Sequence, residues 1–266
     1  MTQREQGELE ALYARLEDLC GRAERGEVAY SPFLTPREIH YGSIFLRLRG
    51  AKFSAYGGYG EAERRRLYLL PDYMELSEEN GDLGALLSAF DMDTDIRALR
   101  IEGSGYRHLT HRDFLGSLLG LGLDRGVIGD LVVDSESGRW AIVICDRAIG
   151  IFLEQTLERV ANDKVRVTPA LEWSVPPRQV APIHDTVASP RLDSVVAALC
   201  GLSREKAREI VCGGFVEIDF ESEERPDRSV ESVEMISVRG YGRFRICSLG
   251  DLTRKGRMRL VAEKYL

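Results

Sequence analysis

Four of the chain's nine prolines, Pro176, Pro177, Pro182 and Pro190, fall in the eighteen residues from Trp173 to Pro190. Proline fixes φ and removes a backbone donor, so neither a helix nor a central strand can run through such a stretch. It predicts an extended linker over 174–188 between separately folded parts. A chain of 266 residues leaves room for two domains, or three small ones, around that break. The expected class is α+β. An N-terminal α/β module is expected over 1–90, a second domain over 91–173, and a C-terminal domain with a basic tail over 189–266.

Hydrophobic spacing fills in the parts. Leu9, Leu12, Leu16, Leu19 and Ala23 recur at threes and fours, the stripe of an amphipathic helix. Thr35-Pro36-Arg37-Glu38 reads as an N-cap, a first-turn proline and an acidic first turn, opening a second helix. From residue 94 the pattern changes. Strands are predicted at Ile96 to Ile101, Ile128 to Val133, Trp140 to Cys145 and Val165 to Ala170. Helices are predicted from Phe114 to Leu121, behind the cap Thr110, and along Ile149, Phe152, Leu153, Leu157 and Val160. The order β-α-β-β-α-β is that of the ferredoxin-like α-β plait.

Several classes drop out. No window approaches the roughly 20 apolar residues of a membrane-spanning helix. The polar, acidic start from Met1 to Glu10 is unlike a signal or transit peptide. Cys20, Cys145, Cys200, Cys212 and Cys247 are odd in number, scattered, and mostly inside apolar runs, so they read as buried reduced thiols of a cytoplasmic protein. His108 and His111 lack a Cys or Glu at ligand spacing, and no metal or cofactor is expected. Gly57-Gly58-Tyr59-Gly60 is not followed by the Lys-Ser/Thr of a P-loop.

The most specific signal is C-terminal. Ser189-Pro190-Arg191-Leu192-Asp193 is followed by Leu202-Ser203-Arg204-Glu205-Lys206-Ala207-Arg208, then Gly213-Gly214-Phe215-Val216, then Arg239-Gly240-Tyr241-Gly242-Arg243-Phe244. Ser203 can cap a helix on which Arg204 and Arg208 share one face. Two short helices with such a face suit a phosphate backbone, and guanidinium forks match phosphate oxygens. This ordered set resembles the S4 RNA-binding domain. Its acidic loop, Glu221, Glu223 and Glu224, departs from the usual S4 pattern and argues against RNA contacts there.

The whole chain resembles a narrower family, the YlmH-type S4 proteins of bacteria, cyanobacteria and plastids. The shared marks are Phe33-Leu34-Thr35-Pro36-Arg37-Glu38, Gly57-Gly58-Tyr59 with Glu63-Arg64, His111-Arg112-Asp113-Phe114-Leu115-Gly116, and Gly129-Asp130. The resemblance implies a cytoplasmic RNA-binding protein linked to the large ribosomal subunit and to ribosome-associated quality control. Large-subunit rRNA, tRNA and the ribosome would be its partners, with no membrane.

Net charge is −7, which by itself disfavours nucleic acid, but it is unevenly spread. Residues 188–266 hold 14 Lys+Arg against 13 Asp+Glu, leaving 22 against 30 upstream. The expected RNA-binding residues are Arg191, Ser203, Arg204, Lys206, Arg208, Arg239 and Arg243, with Arg254, Lys255 and Arg257 in the tail. Upstream candidates are Tyr59, Arg64, Arg65, His111 and Arg112. The plait is not expected to stack bases as an RRM does, because Trp140 is the lone aromatic on its central strands. The chief alternative is an RNA-modifying enzyme of the pseudouridine synthase kind. It would use Asp193 of Arg191-Leu192-Asp193, yet no catalytic domain accompanies it. A protein-binding adaptor is a further alternative.

Overall fold

The computed structural model describes residues 3–75, 82–134, 136–171, 173, 180–230, 235–254 and 256–265. The chain divides into two compact units, residues 3–175 and 176–266. Among the described residues no helix is long and apolar enough to cross a membrane.

The first unit opens with α1 (Gln3–Glu24), β1 (Ala29–Tyr30), α2 (Pro36–Leu48), β2 (Phe53–Tyr56), β3 (Arg66–Leu69) and α3 (Leu83–Ser88). The predicted stripe of α1 is buried with Leu46 of α2 and with Leu67 and Leu69 of β3. The cap of α2 is complete: the Glu38 amide donates to Thr35 Oγ1 and the Thr35 amide donates to the Glu38 carboxylate. Strands pair antiparallel in the order β1-β3-β2. Successive side chains of β3 alternate faces, so Tyr68 packs on the opposite side with Leu83 and Leu87 of α3.

The plait follows as β4 (Ile96–Gly103), α4 (His111–Gly120), β5 (Ile128–Val133), β6 (Trp140–Asp146), α5 (Arg147–Thr156), β7 (Arg159–Val160) and β8 (Asp163–Pro169). The sheet order is β5-β6-β4-β8-β7, antiparallel throughout. Without the two-residue β7 this is the strand order of the ferredoxin-like arrangement. Leu99, Ile101, Val143 and Cys145 face Phe114 and Leu118 of α4 and Leu153 of α5.

The other sheet face is partly roofed by the N-terminal module. Phe33 lies on Ile142 and Ile144. Gly129 is the floor under that ring: a Cβ there would come within 2.8 Å of it. Beside it Arg66, 1% exposed, is sandwiched between the rings of Tyr30 (4.8 Å) and Phe33 (4.4 Å) and donates to Asp146. The module and the plait thus share one seam.

The second unit comprises β9 (Val180–Val187), α6 (Leu192–Cys200), α7 (Arg204–Cys212), β10 (Val216–Ile218), β11 (Glu221–Ser222), β12 (Met235–Val238), β13 (Gly242–Leu252) and β14 (Met258–Tyr265). They form one antiparallel sheet, β11-β10-β12-β13-β14-β9. Leu192, Val195, Val196 and Leu199 of α6 and Ala207 and Val211 of α7 share its core with Phe244 and Leu260. Gly201 ends α6 in the left-handed region at φ +64°.

The linker expected over 174–188 is corrected here. Residues 174–179 lie outside the described residues, but Val180–Val187 is a strand paired along its whole length with β14. Pro182 is compatible because β9 is an outer strand, where one side of the backbone needs no partner.

Replacing Phe33 by Ala should cost the first unit about 3–5 kcal/mol, the range for emptying a packed phenylalanine site. Chemical denaturation of the full chain measures this; a loss under about 1 kcal/mol would mean that the ring does not bind the module to the plait.

Candidate nucleic-acid interface

The start of α6 and the start of α7 are drawn together by one carboxylate. Asp193, whose side chain is only 4% exposed, accepts from Arg191 Nε (3.2 Å) and the terminal Nη2 of the same residue (3.1 Å), and from Arg204 Nη2 (3.3 Å). Arg191 is the N-cap residue of α6 and Arg204 is the first residue of α7. Burial alone would raise the pKa of Asp193, but the hydrogen bonds and charges of the two arginines outweigh it and hold the carboxyl below its ordinary value. Both guanidiniums remain well exposed, at 39% and 54%. The carboxylate therefore fixes their positions while their outer edges face solvent.

A second carboxylate repeats the device. Glu223, expected to make its loop acidic, turns inward and is 11% exposed. It accepts from Arg225 Nε and Nη2, both at 3.1 Å, and pairs with Arg228 at 3.3 Å. The hydrogen bonds from Arg225 hold its pKa below the ordinary glutamate value. The loop is pinned to α6, since the Leu192 amide donates to the Arg228 carbonyl and the Asp193 amide to the Pro226 carbonyl. Arg225 and Arg228 therefore join Arg191 and Arg204 at the mouth of the helix pair. Sequence reasoning missed them because three glutamates in the same loop hid them. The signal available was Arg225-Pro226-Asp227-Arg228, a basic turn just past the acids.

The other expected residues of this unit are placed variously. The Ser203 hydroxyl accepts from the Lys206 amide as the cap of α7, so it is spent on the helix. Lys206 pairs with Glu209 at 2.8 Å on the exposed surface. Arg208 is exposed and makes no ion pair with a described residue. Arg239 lies over the Phe215 ring at 5.4 Å. Arg243 is half-buried on β13, opposite Ser237, and Arg254 is exposed. Arg257, expected among the phosphate ligands, is exposed and also serves as a strap. Its Nε donates to Thr186 Oγ1 at 2.8 Å and its Nη2 to the Thr186 carbonyl, tying the β13–β14 hairpin to β9. Lys255 lies outside the described residues.

The upstream candidates belong to the first unit, and two of them are committed to its seam. Tyr59 donates to Asp130 at 2.6 Å and meets Trp173 edge to face. Arg64 donates to the carbonyls of Phe33, Arg125 and Ile128 at 2.7, 3.0 and 3.1 Å. Burial, the largest influence, lowers its pKa. Tyr59 and Arg64, expected to contact RNA, have polar atoms that bridge the module and the plait. Asp130 completes this joint by accepting the amides of Glu63 and Arg64. Arg65 donates to the Ala62 carbonyl within its own turn. Burial and then the charge of Arg125 lower the pKa of His111. Arg112 is exposed.

Comparison with known proteins finds family matches within the first unit and a relative along most of the chain. Residues 10–74 match the family described as "YlmH, N-terminal", and residues 91–172 match "Putative RNA-binding domain in YlmH". The Ribosome-associated protein quality control protein P2 of Bacillus subtilis (strain 168) is 30% identical over 241 residues, spanning 91% of this chain and 89% of that protein. The solved structure of the cell division protein ylmH from Streptococcus pneumoniae is 17% identical with a TM-score of 0.49, covering 64% of this chain and 93% of that one. On the two matched domains and the near full-length relative, the chain belongs to the YlmH family.

Proposed function

We propose that this chain is a non-enzymatic RNA-binding protein of the cytoplasm that acts on the large ribosomal subunit, on rRNA and on tRNA held there, in ribosome-associated quality control. The observation that carries the reading is the set of four arginines, Arg191, Arg204, Arg225 and Arg228, held by two inward-turned carboxylates at the mouth of an S4-like helix pair. Pre-positioned guanidiniums lose little freedom on meeting phosphate. Arg208, one turn on from Arg204, extends the same face along α7. The name of the Bacillus relative, a ribosome-associated quality control protein, supports the setting. The enzyme alternative has little support, because Asp193, its would-be catalytic group, spends both oxygens on arginines.

The test is salt-dependent binding of a structured rRNA or tRNA fragment. The slope of log affinity against log salt shrinks by about 0.9 for each phosphate that the protein no longer neutralises. Arg204→Ala with Arg208→Ala should therefore flatten that slope by about two and weaken binding across sequences, with the thermal melt little changed. Unaltered affinity would remove the helix pair as the grip.

Asp193 supplies a pH signature. Its folded pKa lies below its unfolded value of about 3.9, so its contribution to stability is full above that value. The contribution fades as pH falls through the folded pKa. Asp193→Asn should be less stable than the natural chain near neutral pH, and its stability should fall less steeply below about pH 4. Parallel pH profiles from denaturation at stepped pH would show that the carboxylate is not what locks the arginines.

A further inference from the structure

The N-terminal module roofs only part of the plait's second face. Ile142 and Ile144 lie under Phe33, whereas the end of the sheet formed by the C-terminal half of β4 and the start of β6 and β8 carries another kind of surface. Alternation puts Arg100 and Glu102 of β4, Trp140 of β6, and Lys164 and Arg166 of β8 on this face, because Leu99, Ile101, Ala141, Val143, Val165 and Val167 point to the helices. Glu102 pairs across the sheet with Trp140 on one side and Arg166 on the other.

The Arg100 guanidinium is stacked over the Trp140 ring, 4.4 Å from its centroid, and its side chain is 39% exposed. Arg139, 53% exposed, reaches Glu102 at 3.4 Å. Glu102 thus sits between Arg139 and Arg100, the latter 3.8 Å away, and holds both over the sheet. Lys164 and Arg166 are exposed. The loop after β4 passes beside Arg139, whose Nε would be 3.5 Å from a Cβ at Gly105. The next residue, Tyr106, is 97% exposed. Asp163, the nearby acid, is engaged by the Ser104 hydroxyl and amide.

We propose that this end of the plait sheet, uncovered among the described residues, is a binding site for unpaired nucleotides of RNA, with the Arg100–Trp140 layer and Tyr106 taking bases and Arg139, Lys164 and Arg166 taking phosphates. An arginine plane lying on an indole offers its outer face to a base, as aromatic and guanidinium planes do in single-strand binders. Paired bases are stacked on one another and do not open to such planes, so the surface selects single strands. It is not the two-aromatic platform of an RRM, and the roof over Ile142 and Ile144 confines it to a short stretch of chain. The site goes beyond the grip proposed for the helix pair and does not depend on it.

The experiment is fluorescence anisotropy of a labelled 12-nucleotide oligouridylate and, separately, of an RNA duplex of equal length, with the full chain and three variants. Arg100→Ala with Arg166→Ala should weaken oligouridylate binding by about tenfold. Tyr106→Ala, at a residue too exposed to disturb folding, should weaken it by about threefold or more. Arg204→Ala with Arg208→Ala, which removes phosphate contacts outside the plait, should reduce duplex binding more than oligouridylate binding. The proposal is overturned if the natural chain does not bind oligouridylate. It is equally overturned if neither plait variant weakens that binding, or if only the Arg204/Arg208 variant does. The duplex arm judges the helix-pair grip on its own, so the two readings fail separately.

Discussion

The first unit depends on the seam where Phe33 and Arg66 meet the plait. Phe33 can lie flat on Ile142 and Ile144 because Gly129 has no side chain. Arg66, almost wholly buried, uses Asp146 as its counter-charge and the rings of Tyr30 and Phe33 as its walls. A buried ion pair is a poor source of net stability, but it penalises any other register in which the charge would lose its partner. Asp130 adds a second polar tie, drawing in Tyr59 and the Glu63 and Arg64 amides. Burial and specificity are thus divided: the phenylalanine supplies the first, and the two aspartates fix how the module sits on the sheet.

The second unit uses charge the other way. Asp193 and Glu223 are turned inward so that arginines are presented outward. A chain of net charge −7 can thereby still present a cluster of arginines to solvent. Carboxylates that look, in composition, as if they cancel the arginines are here the fixtures that aim them. Charge totals over the chain or over a domain miss this, because orientation rather than count decides what a phosphate meets.

Much of the fold was legible in the sequence. The stripe of α1, the N-cap at Thr35, the capping box at Thr110 and the β-α-β-β-α-β element order of the plait depend on local spacing, and local spacing is visible in one dimension. What was not legible depended on tertiary partners. Arg64 looks like one of three solvated arginines until the carbonyls of Phe33, Arg125 and Ile128 arrive from distant segments. Strand β9 was hidden by its own proline, since only its outer place in the sheet makes Pro182 acceptable. Arg257 reads as part of a basic tail, and only the pairing of β14 with β9 brings Thr186 within its reach. Arg225 and Arg228 were masked by glutamates whose inward turn no spacing rule reports.

Pro182 has one more effect. Outer strands expose a row of backbone groups on which another chain can build, and proteins limit this with residues that interrupt the row. In β9 the proline ring replaces an N–H at the third position of a strand that is eight residues long. A neighbouring copy that tried to extend the sheet there would meet a gap in the donors and a ring in its path. The residue that seemed to mark where folding stops is instead where the sheet stops, and it guards that border against crowding by other copies of the chain.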